Sequence, residues 1–219
     1  MWRTISSTRI FRGEEGVSLN EQFFDDCTAG NLTAVESHIA GAGDLNLERG
    51  LCLAAQAGHT ELAAYLLAQG AGKNRRSAEL VDALYLASQN GHAPVVRLLL
   101  EAKVPVNVAA YFGRRALHAA ATHGHAEVLR LLLAVKAKCD VRDSDGATPL
   151  AEAVLNGQHE AAQILVAAGA DVNPCARDGS SPLSMAQEQD DQAMLALLSG
   201  TTFGFCRSTR RRPLTWRPH

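Results

Sequence analysis

Gly-His pairs stand at Gly58-His59, Gly91-His92 and Gly124-His125, each 33 residues after the last. One further step reaches Gly157, and one more reaches Asp190. Three apolar positions keep the same step through all five copies. Seven residues ahead of each point lies a leucine: Leu51, Leu84, Leu117, Leu150 and Leu183. Four residues ahead lies an alanine: Ala54, Ala87, Ala120, Ala153 and Ala186. Eight residues beyond lies another leucine: Leu66, Leu99, Leu132, Leu165 and Leu198. A period held in register this long constrains the fold more than any composition does. The chain must build one small unit repeatedly and stack the copies to bury their apolar faces.

Each copy reads as two short helices. In the copy from 115 to 135, Leu117, Ala120 and Ala121 fall at helical spacing before Gly124, and Val128, Leu129, Leu132 and Leu133 after it. Gly124 permits the tight turn between them. Such helices are too short to stand alone, so their stability must come from neighbours. A third element follows, seen at Val104-Pro105-Val106-Asn107, Ala137-Lys138-Cys139-Asp140 and Ala170-Asp171-Val172-Asn173. It leads through Asp145-Gly146-Ala147 to Thr148-Pro149-Leu150, where Asp-Gly marks a turn and Thr-Pro a helix cap and first position. Composition agrees: alanine (37) and leucine (28) dominate the 219 residues and aromatics are 5%, which favours closely packed helices over a sandwich of sheets.

These features resemble the ankyrin repeat family. The period, the Thr148-Pro149-Leu150 and Ser181-Pro182-Leu183 starts, the Leu117-His118 step, the Gly-His turns and the Gly169-Ala170-Asp171-Val172-Asn173 end all match its motif. A leading copy fits Phe23, Cys27, Gly30-Asn31-Leu32, Val35, Ile39 and Asp44-Leu45-Asn46, with its finger about five residues short. The resemblance implies an all-α solenoid of six helix-turn-helix repeats joined by β-hairpin-like fingers. It would occupy 18–199, between a basic N-terminal extension (1–17) and a basic C-terminal tail (200–219). Some positions depart from the motif. The third copy has Asp82-Ala83-Leu84-Tyr85 at its start and Leu80 where the finger glycine is expected. Lys103 and Lys136 take the helix-ending position that Gly70 and Gly169 hold, where a left-handed backbone costs a non-glycine residue about 1 kcal/mol.

Several classes are excluded. No apolar run approaches the roughly 18 residues of a membrane-spanning helix. Apolar residues at 47% and charged residues at 20% fit a folded, soluble protein. The five cysteines (Cys27, Cys52, Cys139, Cys175, Cys206) are odd in number, irregularly spaced and without a CxxC, so thiols in a reducing compartment are expected. His59, His92 and His125 recur because the repeat recurs, and each belongs to its own layer. His123 and His125 flank a glycine turn that would send their rings apart, with no third ligand nearby in sequence. No nucleophile elbow, phosphate loop or HExxH occurs. Asp143 and Asp145 flank a finger tip, where both are expected to be solvated. No catalytic residue, metal or cofactor is assigned.

Charge is unevenly placed. The formal total is −2, yet residues 1–12 carry three arginines and no acid, and residues 207–219 five arginines and no acid. Residues 14–61 sum to −8, residues 73–115 to +4 and residues 126–191 to −6. The acid-free start leaves a mitochondrial destination open beside a cytoplasmic one. Arg210-Arg211-Arg212-Pro213 leaves open a nuclear signal, or a regulator of a nuclear or nucleic-acid-bound complex. A truncated ubiquitin-ligase substrate receptor is a further alternative, although about twenty residues after the repeats are few for a packed adaptor module.

The resemblance places partner binding on the finger tips and first helices. In this sequence those positions include Arg76, Ser77, Glu79, Gln89, Asn90, Tyr111, Phe112, Arg114, Thr122, His123, Ser144 and Asp145, with Leu155, Asn156 and Arg177 beyond them. Tyr111-Phe112 is notable among only eleven aromatics, because adjacent aromatics beside arginine have the composition of interface anchors. Arg75, Arg76, Arg114 and Arg115 fall on successive fingers, which favours an acidic protein partner. The function expected is a monomeric, non-catalytic scaffold or adaptor that binds a protein and not nucleic acid or membrane.

Overall fold

The computed structural model describes residues 19–41, 45–74 and 77–200. Among these described residues, twelve α-helices form six consecutive pairs. The first three pairs are α1 (Leu19–Ala29) with α2 (Leu32–Gly41), α3 (Leu47–Ala57) with α4 (Thr60–Leu66), and α5 (Ala78–Gln89) with α6 (Ala93–Glu101). The last three are α7 (Ala116–Thr122) with α8 (Ala126–Ala134), α9 (Pro149–Leu155) with α10 (His159–Ala167), and α11 (Pro182–Glu188) with α12 (Gln192–Ser199). The chain divides into two compact units, 1–110 and 111–219. In the first, α1, α3 and α5 pack in a row and α4 packs on α6. In the second, α7, α9 and α11 form one row and α8, α10 and α12 the other. Each row buries the recurrent apolar positions. Leu51, Leu117, Leu150, Leu66, Leu99, Leu132 and Leu165 are all 0–1% exposed.

Local chemistry explains where the helices begin. Thr148 accepts a hydrogen bond from the Ala151 N–H at 3.3 Å, with Pro149 in the first turn, and Ser181 accepts from Ser184 at 3.2 Å ahead of Pro182. The third copy, lacking Thr-Pro, starts a turn earlier. Ser77 caps α5 through the Leu80 N–H at 3.3 Å, so α5 runs twelve residues where α9 runs seven. The helix ends are also as expected. Lys103 and Lys136 adopt φ of 65° and 62°. Behind them the N–H groups of Val104 and Ala137 return to Leu99 and Leu132 at 3.1 Å, the long bond of a Schellman end. The fingers are hairpin-like without forming strands among the described residues: the N–H groups of Asp143 and Ala176 donate across their turns to the Ala147 and Ser180 carbonyls at 3.0 and 2.8 Å. They are turns, held by a few backbone bonds each.

The Gly-His pairs couple neighbouring copies. His92 places its Nε2 3.1 Å from the Gln56 carbonyl, and its ring lies over Gly58 of the copy before. A Cβ on Gly58 would stand 2.7 Å from that ring, so this glycine supplies both a left-handed turn (φ 83°) and room for the next histidine. His59 does the same towards the Thr28 carbonyl at 2.9 Å.

Cys27, Cys52 and Cys139 are free thiols, as read from the sequence. Cys175 departs from that reading, for it is disulfide-bonded. Burial pushes the Cys27 thiol up to about 12 and the Cys52 thiol up to about 11. In the native protein at pH 8, iodoacetamide should therefore label Cys139 and spare Cys27 and Cys52 until denaturant is added. Peptide mass mapping checks this, and fast native labelling of Cys27 would contradict the packing of α1.

Candidate functional site

The second unit opens on the finger carrying Tyr111 and Phe112. The Arg114 N–H closes a four-residue turn onto the Tyr111 carbonyl at 2.8 Å. Both central residues have positive φ, Phe112 at 52° and Gly113 at 73°. That is the mark of a primed turn, which suits glycine, asparagine or aspartate and strains an aromatic. The next two fingers turn differently. The N–H of Gly146 reaches the Asp143 carbonyl at 3.2 Å and that of Gly179 the Ala176 carbonyl at 3.1 Å, and in each only the glycine has positive φ. Asp145 and Asp178 stand there, one and two periods after Phe112, on ordinary backbone.

Backbone bonds tie the three tips into a row. The Ser144 N–H donates to the Phe112 carbonyl at 2.9 Å, and the Arg177 N–H to the Asp145 carbonyl at 3.0 Å. Gly113 fits because it is bare, since a Cβ there would stand 3.0 Å from the Ser144 nitrogen. Phe112 is 82% exposed and Tyr111 42%. A large ring held out of the core on a strained backbone contributes nothing evident to folding.

Behind the tips, Arg114 turns inward. It contacts Glu152 through Nη2, and its Nε lies 3.5 Å from Asp143 Oδ2. Thr122 donates its hydroxyl to the other Glu152 oxygen at 3.1 Å. The remaining Asp143 oxygen accepts the N–H groups of Asp145 at 3.0 Å and Ala147 at 2.9 Å. Both carboxylates are buried, and burial is tolerable because all four oxygens have partners. Asp143 is thus not the solvated group expected at a finger tip, whereas Asp145 is exposed. This network forms one wall of a groove of about 630 Å³, which Leu155, Asn156, Arg177, Asp178 and Met185 also line.

The other predicted positions fare unequally. In the first unit, Ser77 is buried as a helix cap and has no surface left to offer. Glu79 and Gln89 are half-buried, and the exposed Asn90 donates to the Gln56 carbonyl at 2.7 Å. Arg75 and Arg76 lie outside the described residues, as do both basic ends. In the second unit, Thr122 serves Glu152, while Ser144 is exposed. His123 is exposed, and its ring stacks on that of His125 with centroids 6.0 Å apart. The two rings therefore do not diverge. Among the described residues, no three His, Cys, Asp or Glu side chains are placed to hold a metal ion. Nor is any helix there long and apolar enough to cross a membrane.

His118 is fully buried. It accepts the Arg115 N–H at Nδ1 (3.2 Å), and Nε2 faces the Ala147 carbonyl at 3.2 Å. Burial lowers its pKa from 6.5 to about 4, against the opposing pull of that carbonyl. Its role is to tie a helix start to the next finger.

Sequence reasoning missed Glu152. The signal was present, because the equivalent positions in the other 33-residue copies are Leu53, Leu86, Ala119 and Met185, and among these five copies only this one places a charge there. A register-by-register reading of the first helices would have found it.

Stacked helix pairs joined by bonded turns define a helical repeat solenoid. A family model described as ankyrin repeats (3 copies) matches residues 25–110 and again 106–176, and the chain belongs to that family. No curated protein matches it. Ankyrin repeats serve in general as protein–protein interaction modules.

Proposed function

We propose that this chain is a non-catalytic scaffold or adaptor, acting in the cytoplasm, whose second unit holds a protein partner on its finger tips and groove. The observation that carries the proposal is Phe112, 82% exposed at a left-handed φ that the later fingers avoid. A side chain kept at a cost to folding and displayed to solvent is the kind of group a partner covers.

Of the four arginines that favoured an acidic partner, Arg75 and Arg76 lie outside the described residues, and the two on the second unit are engaged within the chain. Arg114 is neutralised by Asp143 and Glu152, and Arg115 donates Nη1 to the carbonyls of Gly113 and Arg142, both at 3.1 Å. What remains exposed at the site is an aromatic anchor with Asp145, Arg177 and Asp178 on the following fingers.

The test separates folding from binding. Phe112→Asn should leave stability unchanged or raise it by about 1 kcal/mol, because asparagine tolerates left-handed backbone. The same substitution, or Tyr111→Ala with Phe112→Ala, should remove the specific partners captured by the wild-type chain. Capture that survives both variants would refute this site.

A further inference from the structure

We propose that the groove of the second unit takes an extended basic segment of a protein partner, with an apolar side chain on Phe112 and arginine or lysine side chains along Asp145 and Asp178. This rests on the finger tips being the interaction site, and it adds the chemistry of what they hold. The first support is the row itself. Phe112, Asp145 and Asp178 occupy one repeat position on three consecutive fingers, and backbone bonds of 2.9 and 3.0 Å hold those fingers in register. A row of tips bonded in register suits an extended chain that meets one finger after another.

Charge is the second support. Four carboxylates (Asp143, Asp145, Glu152, Asp178) and two guanidinium groups (Arg114, Arg177) line the groove, a net of two negative charges. Arg114 is taken up by the buried pair Asp143 and Glu152, so the exposed rim carries Asp145, Arg177 and Asp178. Neither Asp145 nor Asp178 forms an ion pair among the described residues. Ser180 donates its hydroxyl and its N–H to Asp178 at 2.6 and 2.9 Å, which holds that carboxyl below its ordinary range and keeps it charged. The third support is the apolar part of the lining. Leu155, 54% exposed, and Met185 both line the groove, which suits an aliphatic or aromatic side chain between the basic ones. A partner of the same charge would face uncompensated carboxylates, and this sets the preference.

The probe is a fluorescent decapeptide alternating leucine and arginine, compared with its leucine–glutamate counterpart, titrated against the full chain by anisotropy. The leucine–arginine peptide should bind saturably at about 0.05 M salt and weaken about tenfold at about 0.5 M, where charges are screened within about 4 Å. Asp145→Asn with Asp178→Asn should cost about fivefold at low salt. Asparagine keeps the turn oxygen that Ser180 uses, so the fold stays intact, and circular dichroism confirms it. Equal binding of the leucine–glutamate peptide overturns the proposal, as does an unchanged affinity in the double variant. A full chain that sediments as a dimer, and dissociates in that variant, shows instead that a second copy occupies the groove. An affinity that rises about tenfold on Arg210→Gln, Arg211→Gln and Arg212→Gln shows that the chain's own arginines do. If the double variant keeps its peptide affinity while Phe112→Asn loses cellular partners, the charge assignment alone fails. The reverse pattern leaves the groove chemistry standing and removes the finger tips as the cellular docking site.

Discussion

Leu132→Ala should destabilise the second unit by about 2–5 kcal/mol in urea denaturation. Leu132 lies on α8, which packs against α7 and α10, and it is 0% exposed. Truncation removes most of a buried side chain and leaves a cavity that close-packed neighbouring helices close only in part. Repeats touch only their neighbours, so the loss should stay local and spread weakly along the chain. A loss below about 1 kcal/mol would mean that Leu132 is not an interlayer residue and that the register is wrong.

The pH dependence of the same unit should carry a component from His118. Its folded pKa is about 4 and its ordinary value 6.5, so between these limits the unfolded chain binds a proton that the folded chain refuses. Stability is therefore fully present above pH 6.5 and falls as the pH drops towards 4, at about 1.4 kcal/mol per unit. From pH 7 to pH 4.5 the loss should reach about 2–3 kcal/mol. His118→Gln should be less stable at pH 7, since it breaks the bonds to Arg115 and Ala147, yet it should lack this component of the pH dependence. Denaturation curves for both chains at the two pH values settle it. Parallel pH dependences would show that His118 titrates normally and is not sealed beneath the finger.

Of these two positions, His118 was legible only through the resemblance carried by the Leu117-His118 step, since Cys52, Tyr85, Ala151 and Ser184 stand there in the other copies. Leu132 was legible from the period, because every copy must bury the same face. The left-handed lysines were legible for the same reason, as Gly70 and Gly169 show what the backbone requires where Lys103 and Lys136 stand. Less visible was the start of α5, where Ser77 competes with the expected position and wins because a cap five residues earlier extends the helix.

The arginines show the limit most clearly. Arg114 and Arg115 look alike in the sequence, side by side on a finger and free of nearby acids. Asp143 and Glu152 reach Arg114 only because two turns and a helix, 29 and 38 residues downstream, fold onto it. The sequence by itself determined the six copies, their helices and the glycine and histidine positions between them, because each of these satisfies a local requirement repeated at a fixed step. The tertiary structure alone decided which charges are cancelled and which are displayed. An ion pair depends on distance in space, and a field at a groove is a sum over neighbours from several copies. In the second unit the adjacent arginines of the sequence turn to partners within the chain, while Asp145, Arg177 and Asp178 stand exposed on the fingers that follow one strained and exposed phenylalanine.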